Sequence, residues 1–184
     1  MAGILRVDQA NVDIINAKTA GGKVFIPGHI IQVQSTTKTD AWTAAIAAGT
    51  WTDIPGLTVA ITPVLATSKI LVTGHMYGNG QSTLTQFFFR IVRDSTPICI
   101  ADAVGTRMRA TGRTYVAGAS VTLAMPFTHL DSPATTSTTT YKIQATTEAS
   151  TYSLYLNRTQ DDTDGAVANG VRTTSTITVM EIAQ

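Results

Sequence analysis

The sequence predicts an all-β chain, folded as one antiparallel sandwich-type domain behind an extended N-terminal arm, and three observations carry that expectation. From Ile30 onward the chain is a series of short β-type runs punctuated by Gly, Pro, Asn and Asp. Several runs alternate with the period of two that sends successive side chains to opposite faces of a strand. No stretch sustains apolar residues at helical spacing with caps at both ends. With 43% hydrophobic residues over 184 positions the chain can bury a core, and an all-β sandwich or barrel can use nearly all of that length as one unit.

In chain order the expected strands are HIIQVQSTTKT (29–39), LTVAITP (57–63), KILVTGHMY (69–77), LTQFFFRIV (84–92), PICIADA (97–103), YVAGASVTLAMPFTHL (115–130), TTYKIQATT (139–147), YSLYLNR (152–158) and STITVMEIA (175–183). DAWTAAIAAGTW (40–51) is the best helical candidate, but it is too short to stand alone and ends at Gly49; it reads as one helical turn or as a loop that packs Trp42 and Trp51. Phe87, Phe88 and Phe89 place apolar groups on both faces of their strand, as do Val179, Met180 and Ile182. Such strands need cover on both sides, from a second sheet and from a neighbouring subunit. In the long run at 115–130, Val121, Leu123, Met125 and Phe127 share one face, and Thr122, Ala124 and Thr128 the other. The threonine-rich stretch at 129–149 turns at Asp131, Ser132 and Pro133, then feeds a strand in which Tyr141, Ile143 and Ala145 alternate with Lys142 and Gln144. Threonine is β-branched and suits a pleated strand with a neutral, wet outer face, whereas a mucin-like tether would lack the alternation.

Residues 1–28 form the expected arm and residues 29–184 the sandwich domain. In the arm Ile4, Leu5, Val7, Val12, Ile14 and Ile15 are spaced among Asp and Asn, and Gly21 and Gly22 make a flexible joint. Ordering some twenty residues of backbone costs more than burying six side chains returns. The arm is therefore ordered by pairing with something else: sister subunits, another protein, or the edge of its own domain. These six residues are the candidate partner contacts.

Charge narrows the function classes. Charged residues make up 14% of the chain, against about 25% in an average domain, so the surface is largely Thr, Ser, Asn, Gln, Gly and Ala. Thirteen basic and twelve acidic residues leave a formal net charge of +1. No broad field gathers nucleic acid, anionic lipid or acidic substrate. The opening MAGILRVDQANVD has no signal-peptide pattern, and no apolar stretch approaches the roughly 20 residues that span a bilayer. Neither nucleic acid nor membrane is an expected partner.

No catalytic motif emerges. Cys99 stands alone, which excludes an internal disulfide and a multi-thiolate zinc site, and PICIA reads it as a small buried side chain. His29, His75 and His129 lie far apart without a second ligand at metal spacing. QDDTDG (160–165) carries Asp162, Asp164 and Gly165 like a calcium loop, but Gln160 and Val171 occupy the positions of its first and last acids; it reads as a solvated turn. GHMYGNGQ has turn glycines and no phosphate motif, and neither a nucleophile elbow nor a P-loop occurs. Asn157, Arg158 and Thr159 match a glycosylation sequon, which carries nothing without export. Arg90, Arg93, Arg107, Arg109 and Arg113, interleaved with Asp94 and Asp102, suit ion pairs between strands or subunits. No enzyme, cofactor or metal is expected.

PGHIIQVQSTTKTDAW, DIPGLTVAITPVLATSKILV, FRIVRDSTPI, HLDSPATTSTTTYKIQ, LYLNRT and STITVMEIA together resemble the carboxy-terminal domain of phage virion proteins, most familiar in tail-fibre-like and particle-surface proteins of phages of cyanobacteria and marine bacteria. The likeness runs from about Pro27 to Glu181. It implies a jelly-roll-like β-sandwich that assembles as a homotrimer on the virion exterior after synthesis in the host cytoplasm. With about 28 residues ahead of the domain, it favours a capsid decoration or cement protein held by its arm on the major capsid protein. The alternative is a short tail-fibre or tail-tip protein that meets host-surface glycans through aromatics such as Trp42, Trp51, Tyr77 or Tyr155.

Overall fold

The computed structural model describes residues 25–81, 85–116, 118–165 and 170–184. Among them no helix occurs. The strands are β1 (Ile30–Lys38), β2 (Trp42–Ile46), β3 (Thr52–Ile61), β4 (Lys69–Gly80), β5 (Thr85–Arg93), β6 (Thr96–Ile98), β7 (Gly112–Val116), β8 (Leu123–Asp131), β9 (Thr139–Thr147), β10 (Tyr152–Leu156) and β11 (Ser175–Ile182). All strand pairings are antiparallel. One sheet runs β1-β11-β4-β10-β2 with β8 on the far edge of β4, and the other runs β3-β9-β5-β6 with β7 also pairing β5. The expected all-β, antiparallel fold is the one observed.

The core lies between the sheets, where alternate residues of each strand meet. Ile70, Val72, Met76, Phe127, Ile177 and Val179 project from the first sheet, and Val59, Phe87, Phe89, Ile91, Tyr141 and Ile143 from the second. Each such side chain contributes about 1.5–3 kcal/mol when removed from water. The alternation read at Met125 and Phe127, and at Tyr141, Ile143 and Ala145, is the buried face of β8 and β9. Of the residues expected on two faces, Phe87, Phe89 and Val179 are buried, while Phe88, Met180 and Ile182 sit half-buried on the opposite side.

Four sequence expectations need correction. The stretch at 40–51 contains a strand, β2, and no helical turn: it pairs residue for residue with β10, and Trp42, Ala44 and Ile46 alternate toward the core. The run at 115–130 is two strands in different sheets, because the chain crosses over at a turn after Gly118; Val121 lies in that crossing, 40% exposed, and shares no face with Met125 and Phe127. Of PICIADA only Pro97 and Ile98 lie in a strand, the end of β6, since Cys99 takes a left-handed φ of 53° and breaks the ladder. Cys99 itself is half-buried against the core. β3 starts five residues early and carries a bulge between Asp53 and Thr58, where Gly56 adopts φ 80°. Ile4, Leu5, Val7, Val12, Ile14, Ile15 and the Gly21–Gly22 joint lie outside the described residues.

Candidate functional site

The register of the first sheet assembles a surface from residues that look unrelated in sequence. Residues directly opposite across antiparallel strands share a face. Val33 on β1 therefore lines up with Met180 on β11, Leu71 on β4 and Leu130 on β8. Beside this apolar row, Ser35, Thr178, Thr73 and Thr128 form a second row, and Thr37, Thr176, His75 and Pro126 a third. Ile30, Ile182 and Lys69 close the lower margin. The alternate residues of β4 and β11 are buried in the core, so all of these rows face outward.

The two ends of the apolar row are exposed, Leu130 53% and Val33 50% accessible, as is Ile30 at the margin (56%), while Leu71 and Met180 between them are half-buried. Among the described large apolar side chains, Val104 (55%) and Tyr115 (48%) are comparably open. The cause on β1 is an inverted pattern. On the inner side of its register it carries Gln32, Gln34, Thr36 and Lys38, of which Gln34 is itself exposed, and on the outer side Ile30 and Val33 followed by Ser35 and Thr37. A strand wet on its outer face would have the opposite alternation. The hydroxyl rows are paired internally, Ser35 Oγ with Thr178 Oγ1 at 2.8 Å and Thr37 Oγ1 with Thr176 Oγ1 at 3.0 Å. The ionisable groups on the face are Lys69, which donates to Ser132 Oγ at 2.6 Å, and His75, edge-on to Tyr77.

Buried polar ties fix the strands beneath this surface. Glu181 is fully buried; its Oε2 accepts from Gln32 Nε2 at 2.6 Å and its Oε1 from the backbone N–H of Val64 (2.8 Å) and Leu65 (3.2 Å). Burial alone would raise its pKa, but the Gln32 amide and the two backbone donors outweigh it and hold the carboxyl below its ordinary value. At the opposite end Asn157 Nδ2 donates to the Lys38 and Asp40 carbonyls, while its Oδ1 accepts from Ser175 Oγ, which in turn accepts from the Tyr77 N–H. Asn157 is fully buried, so the sequon asparagine is committed to the fold.

The other sequence candidates are engaged elsewhere. Asp162 lies between Arg158 (3.2 Å) and Arg172 (2.7 Å), so guanidinium groups occupy the oxygens a calcium loop would present. Among the described residues no three His, Cys, Asp or Glu side chains gather as a metal set. Of the arginines, Arg93 pairs with Asp131, Arg90 stacks 4.2 Å from the Trp51 ring, and Arg107 and Arg109 donate to the Val104 and Ala101 carbonyls. Asp94 Oδ1 accepts from the Thr140 N–H and caps a turn. Two of the aromatics proposed as sugar platforms carry a guanidinium over one ring face, Trp51 that of Arg90 and Tyr155 that of Arg158. The sequence marked only Met180 and Ile182 as an outer side needing cover; the extent of the face was missed because only the register brings Val33, Leu71, Leu130 and Met180 together.

Compared with known proteins, the chain matches no family model. No curated protein matches it either.

Proposed function

We propose that the protein is a non-enzymatic building block that works by association. On the family resemblance of its sequence, it is a trimeric capsid decoration or cement protein on the exterior of a phage virion, anchored to the major capsid protein through residues 1–28. The observation that carries the associating role is the apolar row Val33, Met180, Leu71 and Leu130 on the outside of a sheet whose inside is already packed. Apolar patches left open on a packed domain mark interaction sites. A chain with 14% charged residues and a net charge of +1 supports the same reading, since it repels a neighbouring copy weakly.

Counting copies of the chain in purified phage particles by quantitative mass spectrometry tests this. Hundreds of copies per particle are expected. A few tens would move the protein to the tail and to a host-glycan role, and absence from particles would end the virion assignment. Deleting residues 2–20 is expected to abolish attachment while leaving a folded oligomer; a truncated chain that still binds particles would contradict the anchor.

A further inference from the structure

We infer that the outer face formed by β1, β11, β4 and β8 is the subunit contact of the oligomer, covered by the folded body of a second copy of this chain. The inference rests on the associating role above and adds where the contact lies and what fills it.

The chemistry of the face selects the partner. Lys69 at the margin and His75 are its ionisable groups, so nucleic acid and an anionic membrane find no field to hold them. The surface is a set of side-chain rows on a pleated sheet; the hollow of about 400 Å³ that Thr73, Gly74, Pro126, Phe127 and Thr128 line between β4 and β8 is broadly open and does not enclose a small ligand. The apolar row needs an apolar cover, and the hydroxyl rows tolerate drying because Ser35 with Thr178 and Thr37 with Thr176 already satisfy one another. A flat, neutral protein surface meets all three conditions.

Size points to a whole subunit. Four strands spaced about 4.8 Å apart and about eight residues long span about 20 Å by about 30 Å, or about 600 Å² in projection. A specific interface buries about 800 Å² of accessible surface on each partner, and the accessible area of ridged side chains exceeds their projection. One face therefore matches one standard contact. On β1 the register spends Gln32 inward on Glu181 and turns Val33 outward, where its apolar side chain leaves water only if the outer side is covered.

Sedimentation of three full-length or truncated proteins decides the matter: the wild type, the double variant Val33→Lys with Leu130→Lys, and a chain lacking residues 2–24. Both substituted positions are at least half exposed, so the variant retains the wild-type circular dichroism spectrum, while its melting temperature falls with the lost association. Its association is expected to weaken by about 100-fold or more, because each contact would oppose like charges or strand them in an apolar seam. The truncated chain is expected to keep the wild-type mass. A double variant that assembles like the wild type overturns the inference, and so does a truncated chain that falls to monomers, which would make the arm the cover of the face. Either result leaves the virion assignment standing, since that is read independently from copies per particle.

Discussion

Tyr141 donates its phenolic hydrogen to Oδ2 of Asp131 across 2.7 Å inside the sandwich, and Arg93 Nη1 reaches both oxygens of the same carboxylate at 2.8 Å. The triad ties β9, β8 and β5, and so locks the two sheets together at one end. Burial, then the neighbouring Asp131 charge, push the phenol far above its ordinary value of 10.0. Tyr141→Phe removes a hydrogen bond to a charged acceptor, worth about 1.5–3 kcal/mol. In scanning calorimetry at fixed protein concentration a fall in Tm of about 3–12 °C is expected. Because the folded pKa is raised, the contribution of Tyr141 is complete below pH 10.0 and declines above it. That alkaline decline should be weaker in Tyr141→Phe.

Glu181 supplies the acid limb. Its folded pKa is lowered, so its stabilisation is present above the ordinary 4.5 and is lost as pH falls through the lowered value. Urea unfolding at neutral pH and below pH 4 separates this from general acid effects. Glu181→Gln should lose about 2–3 kcal/mol at neutral pH, because its amide N–H₂ turns toward donors that need an acceptor. The variant should also lose less on acidification than the wild type does.

Asn157 combines a left-handed φ of 58° with three side-chain hydrogen-bond partners, Lys38, Asp40 and Ser175, in one cluster. Asn157→Ala leaves two carbonyls and the Ser175 hydroxyl without their partner and puts a methyl group on a strained backbone. A loss of about 3 kcal/mol in urea unfolding is expected. Asn157→Gly relieves the strain but not the lost bonds, so its stability should fall between alanine variant and wild type.

Gly74 marks the closest approach inside the first sheet. A Cβ there would collide with the Thr176 carbonyl oxygen and lie 2.8 Å from Phe127 Cζ. The obstacle is backbone, which cannot swing aside, so Gly74→Ala should cost about 3 kcal/mol. If calorimetry finds this variant as stable as the wild type, β11 and β4 do not pack as closely as described.

Much of the fold was legible because single strands with one buried face announce themselves, as Tyr141, Ile143 and Ala145 do. β2 was ambiguous for a physical reason: Ala44, Ala45 and Ala47 favour helix intrinsically, and pairing with Tyr152–Leu156 overrides that preference. The crossover after Gly118 was hidden because Val121 continues the alternation of Met125 and Phe127 without sharing their strand. Of the interaction face only the β11 strand was legible, where Met180 and Ile182 opposite Val179 called for cover on the outer side. Val33, Leu71, Leu130 and Met180 come from four separate segments, and a shift of one residue in any pairing would send that strand's contribution to the other face.

The most direct test of an obligate building block is the native mass of the full chain at a concentration of about 1 µM, where weak contacts come apart. The expected result is a closed trimer of the 19.4-kDa chain. A stable 19.4-kDa monomer, with Val33 and Leu130 freely accessible to labelling, would contradict it.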